Sequence, residues 1–166
     1  MPSTTLSITV GSPLRLALIS LEAQCLRLWE DGRLRYQAIV STAAVGASCR
    51  EDSGGTPTGW HRIAAVIGRG EPLGMRFSSR EPVGLWDGEA CDEDLILTRI
   101  FRLEGLEEGH NCGLGCDSFE RYIYLHGTNH EGALGQPVSH GCIRLSNQAC
   151  LELEAWLSEG DLVHIA

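Results

Sequence analysis

The stretch CLRLWEDGRLRYQAIV (25–40) sets the strongest limit on what this chain can fold into. Apolar and polar residues alternate on both sides of Glu-Asp-Gly, which is the period of a half-buried β-strand. Asp31-Gly32 supplies the positive φ angles that a tight hairpin turn requires. Further strands are predicted at WHRIAAVIG (60–68), LILTRIFRL (95–103) and RYIYLH (121–126), with GGTPTGW (54–60) as a turn cluster feeding the first of them. In RYIYLH, Tyr122, Tyr124 and His126 are expected on one face, and Ile123 and Leu125 on the other. DLVHIA (161–166) reads as a last short strand.

Helical periodicity is convincing once. Cys150, Leu153, Trp156 and Leu157 share one face, behind Ser146 or Asn147 as N-cap and ahead of Gly160 as a stop. Residues 68–94, GRGEPLGMRFSSREPVGLWDGEACDED, fit neither template. A connection this long inside a compact domain is usually a functional lid or carries small structure of its own. The expectation is a single domain, 1–166, mostly β, with one or two helices, the C-terminal one followed by a short strand, and no βαβ alternation.

Charge narrows the partners. At a net charge of −9, nucleic acid and anionic membrane surfaces are repelled on average, so neither is an expected partner. All 13 basic residues are arginine, which excludes a lysine nucleophile or Schiff base. No apolar run approaches the roughly 20 residues of a spanning helix. MPSTTLSITVGSPLRLALISLEAQ (1–24) lacks the secretory pattern, its first basic residue being Arg15, so a cytoplasmic protein is expected. The cysteines agree with that. There are seven, an odd and scattered set, unlike a secreted disulfide framework. Cys25, Cys49, Cys91 and Cys150 are expected to be small buried hydrophobes.

Chemistry concentrates in VSHGCIRLSN (138–147). A thiol reacts as the thiolate and has a free pKa of about 8.5, so Cys142 needs a partner to ionise. Two histidines are candidates for taking its proton, His126 at the end of its strand and His140 two places before the thiol. Spacing does not exclude His140, but the glycine between it and Cys142 predicts a sharp bend, which favours His126. That bend lets backbone N–H groups converge beside the sulfur, a nest for the oxyanion of acyl transfer. The helix that follows adds positive dipole. From spacing alone, the same stretch also fits a turn around a buried cysteine.

The longer segment YLHGTNHEGALGQPVSHGCIRLSN resembles the signature of the L,D-transpeptidase catalytic domain, the YkuD-type family. The match consists of His126-Gly127, a spacer, Ser139-His140-Gly141-Cys142, and Arg144. Upstream, STAAVG (41–46) with GGTPTGWHRI is similar to the family's strand and turn, so the likeness runs from about Cys25 to the C-terminus. The resemblance implies a β-sandwich-like fold with Cys142 as nucleophile and His126 as general base. It implies that the Gly127 carbonyl orients the imidazole, that His140, Gly141 and Cys142 supply oxyanion N–H groups, and that Arg144 meets a substrate carboxylate. Ser139 and Tyr124 are further substrate-side candidates. No metal or cofactor is implied. The family cuts the bond from an L-centre of a diamino acid to a terminal D-amino acid in peptidoglycan tetrapeptides. The acyl group then passes to an amine or to water. The expected cytoplasmic location favours water, an L,D-carboxypeptidase acting on recycled muropeptides, with 68–94 as a possible lid.

Other residues carry weaker expectations. His110, Cys112 and Cys116 (HNCGLGC, 110–116) could bind zinc, but no second compact pair completes four ligands. A loop with two free thiols is preferred, and a Cys112–Cys116 or Cys116–Cys142 disulfide would act as a redox switch. His130 reads as an exposed loop histidine, Arg121 as a solvated strand-edge charge, and His61 and His164 as strand residues without function. The remaining alternative is a non-catalytic stem-peptide-binding or redox- or metal-sensing domain.

Overall fold

The computed structural model describes residues 11–166. The strands are β1 (Arg15–Ser20), β2 (Cys25–Glu30), β3 (Arg33–Ile39), β4 (Gly59–Ile67), β5 (Met75–Ser78), β6 (Glu81–Leu85), β7 (Ile96–Gly105), β8 (Tyr124–Gly127), β9 (Ile143–Leu145) and β10 (Leu162–Ile165). Among the described residues one α-helix, α1 (Asn147–Glu154), lies between the last two strands, and a single 3-10 turn, Glu131–Ala133, lies between β8 and β9. The strands join in the order β3-β2-β1-β10-β4-β7-β5-β6, while β8 pairs with β7 and β9. This is the expected mostly-β architecture, and the sheet does not close on itself.

The hairpin that constrains the sequence forms as expected, with Asp31 and Gly32 at φ 48° and 77°. Ser146 caps α1, its hydroxyl accepting from the Ala149 N–H at 3.0 Å. The helix is shorter than its apolar spacing predicts. It ends at Glu154, and Trp156 and Leu157 continue only as a turn on the Leu153 carbonyl. Gly160 has φ 90°, but there it serves the turn into β10 and not the helix end.

Alternation along β7, β8 and β9 creates two different faces. Phe101, Leu103, Leu125, Ile143 and Leu145 point into the main core, which they share with Ile19 and Leu26 from the far end of the strand path. The sheet therefore wraps around one core, and each fully buried Leu or Ile there contributes about 1.5–3 kcal/mol. Cys150 and Leu153 of α1 fill the same core. On the opposite face, Ile100, Tyr124 and Phe77 form a small second cluster against which Cys142 packs. The strand alternation thus sends the main core one way and Cys142, with this smaller cluster, the other.

Two expectations need correction. RYIYLH is not a strand throughout: β8 begins at Tyr124, and Tyr122 is exposed in a turn with φ 56°. Tyr122 therefore does not share the strand face of Tyr124 and His126. Cys25 and Cys150 are buried, but Cys91 is exposed and Cys49 half-buried, because both sit in loops outside the core. Residues 68–94 carry small structure of their own, as one of the two readings of this segment had it, namely the hairpin β5–β6. Its tip, Ser79-Arg80, takes φ 48° and 69° without a glycine.

His61 is buried and neutral. Its Nδ1–H donates to the Gly59 carbonyl at 3.1 Å, and its Nε2 accepts from the Ser118 hydroxyl at 2.9 Å. Burial pushes its pKa down to about 4. A protonated His61 is thus favoured only in the unfolded chain at mildly acidic pH. The stability this contributes is complete above pH 6.5 and declines as pH falls toward about 4, by about 3 kcal/mol in all. Denaturant midpoints measured from pH 7 to pH 4 are expected to fall, with a shallower slope in His61→Asn.

Candidate active site

β8 and β9 are parallel, with Leu125 opposite Ile143, His126 opposite Arg144 and Gly127 opposite Leu145. This register puts His126, Arg144 and, one step earlier, Cys142 on the face turned away from the main core. Two parallel strands need a crossover, which residues 128–142 provide.

His126 is buried, and its Nδ1 lies 2.7 Å from the Gly127 carbonyl. A carbonyl can only accept, so Nδ1 carries the proton and Nε2 presents its lone pair. Burial lowers the pKa of this imidazole. The Gly127 carbonyl and Asp94 act to raise it, and Arg144 to lower it. Gly127 must be glycine, because a Cβ there would lie 2.4 Å from Asn147 Oδ1 and 2.6 Å from the Leu97 carbonyl. Asn147 is a hub that spacing alone presented only as a possible cap. Its Oδ1 accepts from the Thr98 hydroxyl at 2.7 Å, and its Nδ2 donates to the Thr128 carbonyl and to Glu131. Thr98 sits at φ 70° in a bulge of β7, an unfavourable conformation for a β-branched residue held here by neighbours on both sides.

The Cys142 sulfur does not hydrogen-bond His126. Its S–H donates to the Tyr122 carbonyl and it accepts from the Tyr124 N–H, each at 3.4 Å. Burial pushes the thiol up to about 11. The Tyr124 N–H, Arg144 and Arg121 pull it down, and Asp94 pushes it further up. At neutral pH the resting pair is therefore a thiol and a neutral imidazole on adjacent strands. The thiol opens onto a cleft of about 490 Å³, lined also by Tyr122, Arg121, His140, Asp52 and Glu120.

Gly141 has a different role from the expected one. Its φ is 132°, and a Cβ would lie 3.2 Å from the Gly55 carbonyl. Its N–H donates to Ser139 Oγ at 3.2 Å, so that amide is not open to an oxyanion. The Ser139 hydroxyl in turn donates to the Cys142 carbonyl at 2.6 Å, tying the turn to itself and not to His126. The Gly141 carbonyl accepts from the buried Thr56 hydroxyl at 2.9 Å, and that hydroxyl accepts from the Ala43 N–H. Thr56 lies in the TP turn recognised in the sequence, but its hydrogen bond across 85 residues gave no local signal.

Other candidates lie elsewhere than expected. Arg144 is buried and paired with Asp94, its Nη2 2.8 Å from Oδ2, so it does not present an open guanidinium to a substrate. Asp94 was not singled out by spacing. Tyr124 is also buried, and its hydroxyl accepts from Arg80 of the β5–β6 tip at 3.2 Å. Arg121 is not a solvated edge charge. It donates to the Ser48 and Gly55 carbonyls at 3.1 and 2.7 Å, bracing the loop behind Gly141. His130 Nε2 meets the Cys91 carbonyl at 2.9 Å. His110 turns to Thr58 and Cys49, at 3.1 and 3.6 Å, and Cys116 Sγ to the Cys112 and Gly113 carbonyls. Among the described residues, no group of three His, Cys, Asp or Glu is arranged to hold a metal ion.

A buried base with a fixed tautomer, on the same face as a cleft-lining thiol, is an arrangement suited to cysteine chemistry, and comparison with known proteins places the chain in a family of cysteine enzymes. The model of the L,D-transpeptidase catalytic domain, YkuD, matches residues 15–165, and the chain belongs to this family of cysteine enzymes. Its fold is similar to Mycobacterium tuberculosis L,D-transpeptidase 3 in complex with a faropenem-derived adduct. That likeness has 18% identity and a TM-score of 0.57 over 93% of this chain and 60% of that one. An L,D-transpeptidase from Xylanimonas cellulosilytica gives 20% identity and a TM-score of 0.53 over 95% and 63%. A mutant of Enterococcus faecium L,D-transpeptidase gives 13% and 0.56 over 92% and 49%. This chain thus spans only part, 49% to 63%, of the length of these three. No curated protein sequence matches it.

Gly127→Ala is expected to destabilise the domain by about 1–3 kcal/mol. By shifting the imidazole it is also expected to lower turnover about a hundredfold. Thermal unfolding and steady-state assays on the purified variant check both.

Proposed function

We propose that this chain is an L,D-carboxypeptidase: it releases the terminal D-amino acid from peptidoglycan stem tetrapeptides through an acyl-enzyme on Cys142. The observation that carries the acyl-enzyme part of the reading is the parallel β8–β9 register, which sets a base with its Nε2 lone pair available beside the strand that begins one residue after the thiol.

The chemistry runs in two stages. Rotation of the Cys142 side chain swings the sulfur from the Tyr122 carbonyl toward His126, as apo catalytic hydrogen bonds commonly tighten only with substrate bound. The S–H proton passes to Nε2 as sulfur attacks the carbonyl carbon of the diamino acid. The His140 and Cys142 N–H groups face the oxygen that becomes negative, while Gly141 keeps the turn in shape. Collapse breaks the C–N bond, and the leaving amine takes the proton from His126. Water then attacks the thioester, giving its proton to His126, and the tripeptide leaves as sulfur regains a proton. We place this work in the cytoplasm, on recycled muropeptides, a location supported by seven free cysteines, several of them outside the core. The segment 68–94 is the lid of this site in the proposal, with Arg80 reaching Tyr124 from its tip.

A second acceptor has one observation in its favour. Glu51, Asp52 and Glu120 line the cleft, and among the described residues none of the three forms an ion pair. Such a rim attracts an ammonium, so an amine could replace water and make the product a new amide.

Cys142→Ala is expected to abolish D-alanine release from a disaccharide tetrapeptide, while Cys150→Ala retains it. Equal activity in the two variants would refute the nucleophile. With excess D-amino acid, mass spectrometry is expected to find tripeptide; an exchanged tetrapeptide would favour the amine acceptor. A carbapenem is expected to add its mass at Cys142, and labelling at Cys116 would move the site.

A further inference from the structure

Asp94 closes the 68–94 arm, two residues before β7 begins at Ile96. Its Oδ2 lies 2.8 Å from Arg144 Nη2 and 3.7 Å from His140 Nδ1. One carboxylate oxygen therefore faces both the strand after Cys142 and the turn before it. The Arg144 side chain is only 4% exposed and that of Asp94 29%. Around them the arm is laced to the crossover that follows His126-Gly127. The Leu95 N–H donates to Asn129 Oδ1 at 3.0 Å, Asn129 Nδ2 donates to the Glu93 carbonyl at 2.9 Å, and His130 meets the Cys91 carbonyl.

The pair is not a well-satisfied structural salt bridge. Asp94 Oδ1 and Arg144 Nε are both buried without a hydrogen-bond partner among the described residues. Leaving buried polar atoms unpaired costs stability, and a buried ion pair is often replaceable by hydrophobes at no loss. Its place beside the thiol gives a reason for its presence. Arg144 and Asp94 are opposite charges that both act on Cys142 and on His126.

We propose that Asp94 is a positioning residue of the strand that follows Cys142: it clamps Arg144 from the arm side and sets an opposing charge against the guanidinium beside the thiol. The site is then complete only when the arm is docked. The proposal rests on Cys142 and His126 being the reactive pair. Asp94 touches neither the sulfur nor the imidazole, so its effect passes through Arg144 and through the field of the pair. Other charged groups near the thiol are Arg121, Glu51, Asp52, Glu120 and His140, and they are common to every variant below.

The test titrates the thiol itself. Iodoacetamide alkylation of Cys142, mapped by mass spectrometry from pH 6 to pH 11, is measured on the wild type, Asp94→Asn, Arg144→Gln and the double variant. Below the midpoint the alkylation rate follows the thiolate fraction, so removing the carboxylate is expected to raise that rate about tenfold, a downward shift of about one pH unit, and removing the guanidinium to lower it by a similar factor. The double variant is expected to return near the wild type. Shifts of the same sign, or no shift in Asp94→Asn, would overturn the proposal. Asp94→Asn carries the test alone if Arg144→Gln fails to fold. In turnover assays, Asp94→Asn is expected to lower kcat with KM little changed, and Asp94→Glu to restore part of it; no restoration would overturn the clamp. Alkylation needs no substrate, so failure of the peptidase reading shows separately, as activity retained in Cys142→Ala.

Discussion

The three-residue parallel ladder between β8 and β9 is the constraint on which the site depends. It is too short to hold itself, because parallel pairing over three residues offers few hydrogen bonds. It persists because both strands are gripped from their outer sides. β7 pairs along β8, and Ser41 exchanges both backbone hydrogen bonds with Arg144. Leu125, Ile143 and Leu145 beneath are fully buried. The hydrophobic core thus fixes one side of the ladder, and its alternation fixes what faces the cleft. A slip of one residue would send Cys142 and His126 inward and expose leucine in their place.

Electrostatically, the site is built for restraint. Burial disfavours both charged partners, holding the thiol protonated and the imidazole neutral. Charge is supplied from one step away, by Asp94, which raises the thiol's pKa, and by Arg144 and Arg121, which lower it. The backbone does the rest: the Tyr122 carbonyl and Tyr124 N–H cradle the sulfur, and the Gly127 carbonyl orients the base. A thiol kept in this state reacts slowly with stray electrophiles, and in the proposed reaction it becomes a nucleophile only when a substrate completes the arrangement.

Much of this was legible in the sequence because it depends on local signals. The Asp31-Gly32 hairpin and the Ser146 cap each follow from residues a few places apart. The His126-Gly127 and SHGC elements were readable as a motif, and their register in space followed from the fold that the family resemblance implied. What was missed depends on contacts distant in the chain or on unusual backbone. The β5–β6 hairpin was obscured because β6 is exposed on both faces, so its residues have no alternation to show. Tyr122 takes a left-handed conformation with no glycine to announce it, and so was read as strand. Gly141 was assigned to oxyanion binding because its flexibility was visible but the approach of the Gly55 carbonyl was not. Arg144 was given to the substrate because its carboxylate partner stands 50 positions away in a segment without periodicity. In each case the residue type was informative and its partner was not.

The bond from the Thr56 hydroxyl to the Gly141 carbonyl joins residues 85 positions apart. Closing a loop of that length carries an entropic penalty that only prior collapse of the intervening chain can reduce. The turn around Cys142 is therefore expected among the last events of folding, after the long strands have met. A chain still emerging, or one partly opened by stress, holds Cys142 as an ordinary unstructured thiol, and the cleavage proposed for it would become available only with the completed fold.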